Sequence, residues 1–176
     1  HFNEQIRLPV RPMIGVIGVA PAGAGILPGD VGVHGGNMDN RYVTTGATVY
    51  LPVFVPGAQL GIGDLHAAMG DSEITMVGVE VAAKVTVRVN LLKGQTNRRP
   101  WLENAHEWIT TGDDIDPGHA CRIAAEEMTS LLQRKFNVSF GEAYMLMSAW
   151  GDVQLCQMCE PNQGFTTARA VFPKQV

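Results

Sequence analysis

Charge is scarce in this sequence. Asp, Glu, Lys and Arg make up 17% of its 176 residues, against about a quarter in ordinary soluble domains. The 13 Lys and Arg are outnumbered by 17 acids, leaving a net charge of −4. Arg98-Arg99 is the densest basic point, too short a track for a phosphate backbone. Nucleic acid and anionic membrane surfaces are therefore poor candidates as partners. No run of 18 apolar residues occurs, so no membrane-spanning helix is predicted. A signal peptide is not visible. Three cysteines, Cys121, Cys156 and Cys159, are an odd number and argue against a disulfide framework. A reducing, cytoplasmic compartment is the simpler expectation. Also missing are the G-x-S-x-G elbow, the P-loop and the dinucleotide fingerprint.

What the chain does have is apolar content and glycine. Hydrophobic residues reach 45%, and there are 20 glycines. That suffices for one compact domain, or one domain with a small appendage. The composition predicts a strand- and turn-rich protein with part of its surface hidden in a homo-oligomer interface. The chain opens at His1, in sequence that reads like the middle of a protein, which predicts further sequence upstream.

Local patterns give the order of elements. Residues 13–19 are an apolar, β-branched run ended by Ala20-Pro21 and a Gly-rich loop, hence a buried strand. Residues 47–55 predict a second strand, with Pro52 at an edge or bulge. Val77, Val79 and Val81, then Val85, Val87, Val89 and Leu91, alternate with polar residues and predict a half-buried strand. Its phase slips at Ala82-Ala83, where a bulge is expected. Asp116-Pro117 opens a helix, with Asp as cap and Pro in the first turn. Ser139 to Glu142 fits a capping box opening a second helix. Met128, Met145 and Met147 read as core filler. Residues 153–159 and 166–172 predict two final strands. The polar loop 93–99 divides a β-rich portion, 1–95, from an α/β portion, 96–176, the two expected to interlock as one unit.

Candidate chemistry concentrates between positions 34 and 80. Asp64 and His66 are two apart, which on an extended chain points both to one face. Carboxylate and imidazole together suit zinc. Asp71 and Glu73 repeat the spacing. Spacing alone, however, favours a solvated Gly-rich turn over a metal site here. His34-Gly35-Gly36-Asn37-Met38-Asp39 has the same ambiguity, since Asn37 and Asp39 are good turn residues. Glu80, a lone acid in a valine-rich strand, is costly to bury unless paired, and equally consistent with a wet face. Cys156-Gln157-Met158-Cys159 matches C-x-x-C, but a strand would send the two sulfurs to opposite faces. His106 and His119 read as surface residues.

Taken in order, several short motifs resemble one family. These are Gly15-Val16-Ile17-Gly18-Val19-Ala20-Pro21, His34 to Asp39, Leu51-Pro52-Val53, Pro56-Gly57-Ala58, and Gly63-Asp64-Leu65-His66-Ala67-Ala68-Met69-Gly70-Asp71-Ser72-Glu73. The set is similar to the acetamidase/formamidase family, strongest from Met13 to Glu80. Asp152-Val153-Gln154-Leu155 is similar to its C-terminal end. The resemblance implies a mixed, β-rich α+β fold, with a β-sandwich portion and a smaller α/β portion. It also implies a cytoplasmic, homo-oligomeric hydrolase that converts a small aliphatic amide such as formamide or acetamide into carboxylate and ammonia. Asp39, Asp64 and His66 would bind a divalent metal, zinc by expectation. Glu80 or Asp71 would be the general base, with Asn37, Gly36 and His34 against the substrate. Two departures stand out. Family members carry a further N-terminal segment, absent here, whose polar residues complete the site. Ser72 stands where the family often has Gly, a mild change if the backbone there keeps negative φ. Two alternatives stay open: a non-catalytic structural or binding subunit, and a lactam-opening hydrolase.

Overall fold

A computed structural model describes residues 1–159 and 164–175. Two antiparallel sheets and two helices stack in three layers. The first sheet contains β1 (Met13–Gly18), β2 (Val31–Gly32), β3 (Gly35–Asn37) and β5 (Gly61–His66), in the order β2-β3-β1-β5. The second contains β4 (Thr48–Tyr50), β6 (Trp101–Glu103), β7 (Glu107–Asp114), β8 (Asp152–Gln157) and β9 (Thr166–Pro173), in the order β4-β6-β7-β9-β8. The helices are α1 (Pro117–Phe136) and α2 (Phe140–Trp150).

Side-chain alternation along the central strands builds the layers. Trp108 on β7 and Ala168, Ala170 and Phe172 on β9 face the helices. There they meet an α1 stripe of Ala120, Ala124, Met128, Leu131 and Leu132, at steps of three and four. Ile109 and Val171 point the other way, and pack with Ile17, Val31 and Met38 of the first sheet and its loops. Burial on this scale, at about 25 cal/mol per Å² of apolar surface, dominates the stability of such a domain.

Both helix starts form as the sequence predicts. Asp116 accepts from the His119 amide at 2.7 Å. Ser139 and Glu142 make the reciprocal capping box. Asn137 closes α1 in left-handed backbone. The 1–95 and 96–176 portions share a sheet, because β4 pairs with β6.

Three expectations are corrected. The 47–55 strand shrinks to Thr48–Tyr50, since Pro52 and Pro56 cannot donate to a ladder. Met145 is exposed, because α2 buries only Ala143 and Met147. The valine-rich segment 77–91 is not a half-buried strand. Glu80 bridges to His66, and Val81 donates to Leu65, but residues 82–92 pair with no strand among the described residues. Val85, Val87, Val89 and Leu91 are exposed. Alternation specifies a segment suited to burying one face; a ladder still requires a second strand beside it.

Candidate functional site

A cavity of about 850 Å³ opens between β1, β3 and β5 and the loops around residues 19–29 and 73–80. Five side chains from four segments converge at its floor. Asp39 follows β3, Asp64 and His66 are on β5, Glu73 is in the loop after β5, and Glu80 lies where the chain returns past His66. His66 Nε2 lies 3.1 Å from Glu80 Oε1, 3.3 Å from Asp64 Oδ1 and 3.9 Å from Glu73 Oε1. Potential ligand atoms of Asp39, Asp64 and His66 all fall within 4.8 Å of one another, and so do those of His66, Glu73 and Glu80.

Backbone geometry explains the convergence and shows its cost. Asp39, Asp64 and Glu73 all adopt positive φ, at 43°, 53° and 43°. Left-handed backbone costs most residues with a Cβ about 1–2 kcal/mol, and Asp tolerates it better than Glu. Three such residues around one imidazole mark a site whose geometry overrides local preference. Gly15 on β1 provides the room. A Cβ there would strike an Asp64 carboxylate oxygen and lie 2.6 Å from Asp39 Oδ1. Gly36, at φ 88°, lets β3 pass under the His34 ring, 2.8 Å from where its Cβ would be.

The electrostatics are equally lopsided. Asp64, Glu73 and Glu80 crowd one fully buried imidazole, with Asp39 close by, and like charges at this range repel. Burial pushes the Glu73 carboxyl up from its ordinary value, while a side-chain hydrogen bond with Asp39 and the charge of His66 pull it back. Burial also lowers the His34 imidazole, against the pull of Asp113 and Asp30. His66 Nδ1 is buried and makes no hydrogen bond, and the buried Nε2 has carboxylate oxygens beside it without well-formed hydrogen-bond geometry. Buried polar atoms without partners are rare and call for an explanation. A divalent cation fits: it would accept an imidazole nitrogen and carboxylate oxygens, and neutralise the acids.

The sequence-predicted residues separate into two groups. His34, Gly36, Asn37, Asp39, Asp64 and Glu80 line the cavity, and His66 sits directly behind Asp64 and Glu80. Asp71 does not line it. Its carboxylate is 2.5 Å from Arg169 Nη2 and 3.0 Å from Arg41 Nη2. Ser72 takes φ 81°, so Ser for Gly is not a mild exchange here. His119 is exposed and pairs with Asp114. Cys156 is fully buried, and burial pushes its thiol up to about 12. Cys159 lies past the end of β8, lines the cavity and donates to the Glu73 carbonyl at 2.8 Å.

Sequence reasoning gave no role to Glu73 or Arg169. Glu73 had a signal in its two-residue spacing from Asp71. Arg169 had one too: a lone cation in the strand Thr166–Pro173 is costly to bury without partners.

The model of the acetamidase/formamidase family matches residues 18–155. A formamidase from Methylophilus methylotrophus is 46% identical over 61 residues, covering 34% of this chain and 15% of that protein. The crystal structure of an acetamidase from Bacillus halodurans superposes with a TM-score of 0.92 at 42% identity, over 98% of this chain and 57% of that one. An acetamidase structure from Yersinia enterocolitica gives 0.94 at 36% identity, over 98% and 52%. The chain spans little more than half the length of these two solved relatives. A continuous family match, a shared α+β fold and the motif-bearing cavity agree, and the chain belongs to the acetamidase/formamidase family.

Proposed function

We propose that this chain carries a divalent-metal site for hydrolysing small aliphatic amides, of the formamide or acetamide type, to carboxylate and ammonia. One observation carries the reading: the buried His66 imidazole, whose Nε2 meets only carboxylate oxygens and whose Nδ1 makes no hydrogen bond, stands among four carboxylates at the floor of a cavity. Asp39, Asp64 and His66 would hold the ion, and zinc accepts that donor set. When bound, such an ion lowers the pKa of water and polarises a carbonyl.

The protein groups then divide the remaining work. Glu80 is the proposed general base. Its side chain is half exposed, lines the cavity and lies beside His66. The Gly78 amide donates to its Oε1 at 3.2 Å and fixes its direction. It takes a proton from the attacking water as the carbon–oxygen bond forms. It returns that proton to nitrogen as the carbon–nitrogen bond breaks and ammonia leaves. Asn37 would orient the amide, with His34 and the Gly36 backbone beside it. The similarity to a formamidase and an acetamidase supports this substrate class.

The test is metal analysis of the purified protein together with ammonia release from formamide and acetamide. His66→Ala is expected to lose zinc. Glu80→Gln is expected to keep zinc and lose at least a hundredfold in turnover, in the range typical of a general base. Full zinc occupancy in His66→Ala would remove the ligand set, and undiminished turnover in Glu80→Gln would remove the base. Two further readings belong with this one. Exposed Phe140, Tyr144, Met145 and Trp150 on α2 support homo-oligomerisation, which sedimentation would test. Free Cys121, Cys156 and Cys159 support a reducing, cytoplasmic setting. No helix among the described residues is long and apolar enough to cross a membrane.

A further inference from the structure

Arg169 is fully buried on β9, on the face away from the helices. Its Nε and Nη2 donate to Gln154 Oε1 at 2.9 and 2.6 Å. Nη1 reaches Cys156 Sγ at 3.6 Å, and the guanidinium lies 4.9 Å over the Tyr42 ring. The remaining direction ends on Asp71 Oδ2, at 2.5 Å. Arg41 meets the same oxygen from a more exposed position.

Asp71 opens the turn that delivers Glu73. Between them, the Ser72 amide donates to the Cys156 carbonyl at 2.8 Å, and the Met158 amide donates to the Ser72 carbonyl at 3.1 Å. The turn is therefore fastened to β8 and its continuation by backbone, and to β9 by the ion pair. Fastening is needed, since Ser72 and Glu73 both sit in left-handed backbone and would relax if released. A fully buried arginine is also an expensive way to hold a fold together; apolar packing does so as well or better.

We propose that Arg169 and Asp71 form a positioning pair that holds Glu73 in the carboxylate cluster. The proposal rests on the metal-site reading above and gives Asp71 a task other than proton transfer. Neither residue touches the reacting atoms; both act through the turn.

A double-mutant cycle on zinc affinity, read by calorimetry, separates this task from general support of the fold. Asp71→Asn is expected to weaken zinc binding about tenfold, and Glu73→Gln by a similar factor. The double variant should lose no more than either alone, because both remove one interaction. Arg169→Lys should follow Asp71→Asn in direction; should it fail to fold, Asp71→Asn carries the test. Amide exchange at Ser72 and Glu73 should quicken in Asp71→Asn, with exchange in α1 unchanged. Multiplying losses near a hundredfold, or unaltered affinity in Asp71→Asn beside a clear loss in Glu73→Gln, overturn the proposal. If the wild-type protein takes up no zinc, the metal reading fails first. The exchange result then decides alone: faster exchange supports the clamp, and unchanged exchange removes it.

Discussion

Across the five-stranded sheet, Ala168, Ala170 and Phe172 meet Ala124, Met128 and Leu132 with no exposed surface. Across the four-stranded sheet, glycines recur at positions 15, 18, 32, 35, 36, 61 and 63, and three acids around its edge stand in left-handed backbone. One region is close-packed and conformationally ordinary. The other gives up packing and preferred φ to bring acids against an imidazole. Stability in proteins is distributed unevenly, and functional segments tend to come from the less stable part. The division here makes that contrast testable.

The largest effect should come from the packed layer. Leu132→Ala is expected to lower unfolding free energy by about 3 kcal/mol or more, as for other fully buried leucines. Denaturant titration measures it. A loss under about 1 kcal/mol would mean that this layer is not the source of stability. Next comes Gly15→Ala, whose methyl must push on the carboxylates of Asp64 and Asp39. Zinc affinity should fall at least about tenfold, roughly 1.4 kcal/mol, with the denaturation midpoint little changed. Loss of stability with affinity intact would reverse the contrast.

Ser72→Gly should stabilise the protein by about 1 kcal/mol, because glycine adopts φ 81° without the steric penalty. Destabilisation in a thermal melt would show that the hydroxyl compensates. The smallest effect is expected at Tyr50, stacked on Trp101 with ring centroids 3.8 Å apart. Burial and its hydrogen bond to Glu103 raise the phenol to about 12. The neutral form is thus favoured in the folded state. Its contribution is complete below about pH 10, the unfolded value, and is lost as pH rises to about 12. Unfolding midpoints across that window should fall less steeply in Tyr50→Phe than in the wild type.

How far the sequence foretold this arrangement differs between the two regions. The helices were legible because caps are local: Asp116-Pro117 and the Ser139 to Glu142 box specify their own geometry. Strand β1 was legible from its short apolar, β-branched run, and β9 from the β-compatible stretch Ala168 to Phe172, although Arg169 interrupts it. Segment 77–91 misled, since alternation records a preference and not a partner. At the site, a spacing of two suggested that Asp64 and His66 share a face, but the extended backbone which that reasoning assumes is not what Asp64 adopts, since it sits at φ 53°. Bringing Asp39 and Glu73 to them needs left-handed turns and the room left by Gly15, which no single-residue pattern announces. Spacing alone did not separate Asp71 from Glu73, and the resemblance singled out Asp71 as a candidate base. Only the third dimension shows one facing Arg169 and the other facing His66.

The left-handed placement of Asp39, Asp64 and Glu73 carries an evolutionary implication. At each position glycine would be the more comfortable residue for the backbone, and it would relieve charge crowding as well. A laboratory selection for heat resistance alone should therefore drift toward glycine there, producing hardier proteins in which the proposed metal pocket is erased. Retention of all three acids under such pressure would signal that ion binding itself holds the molecule together.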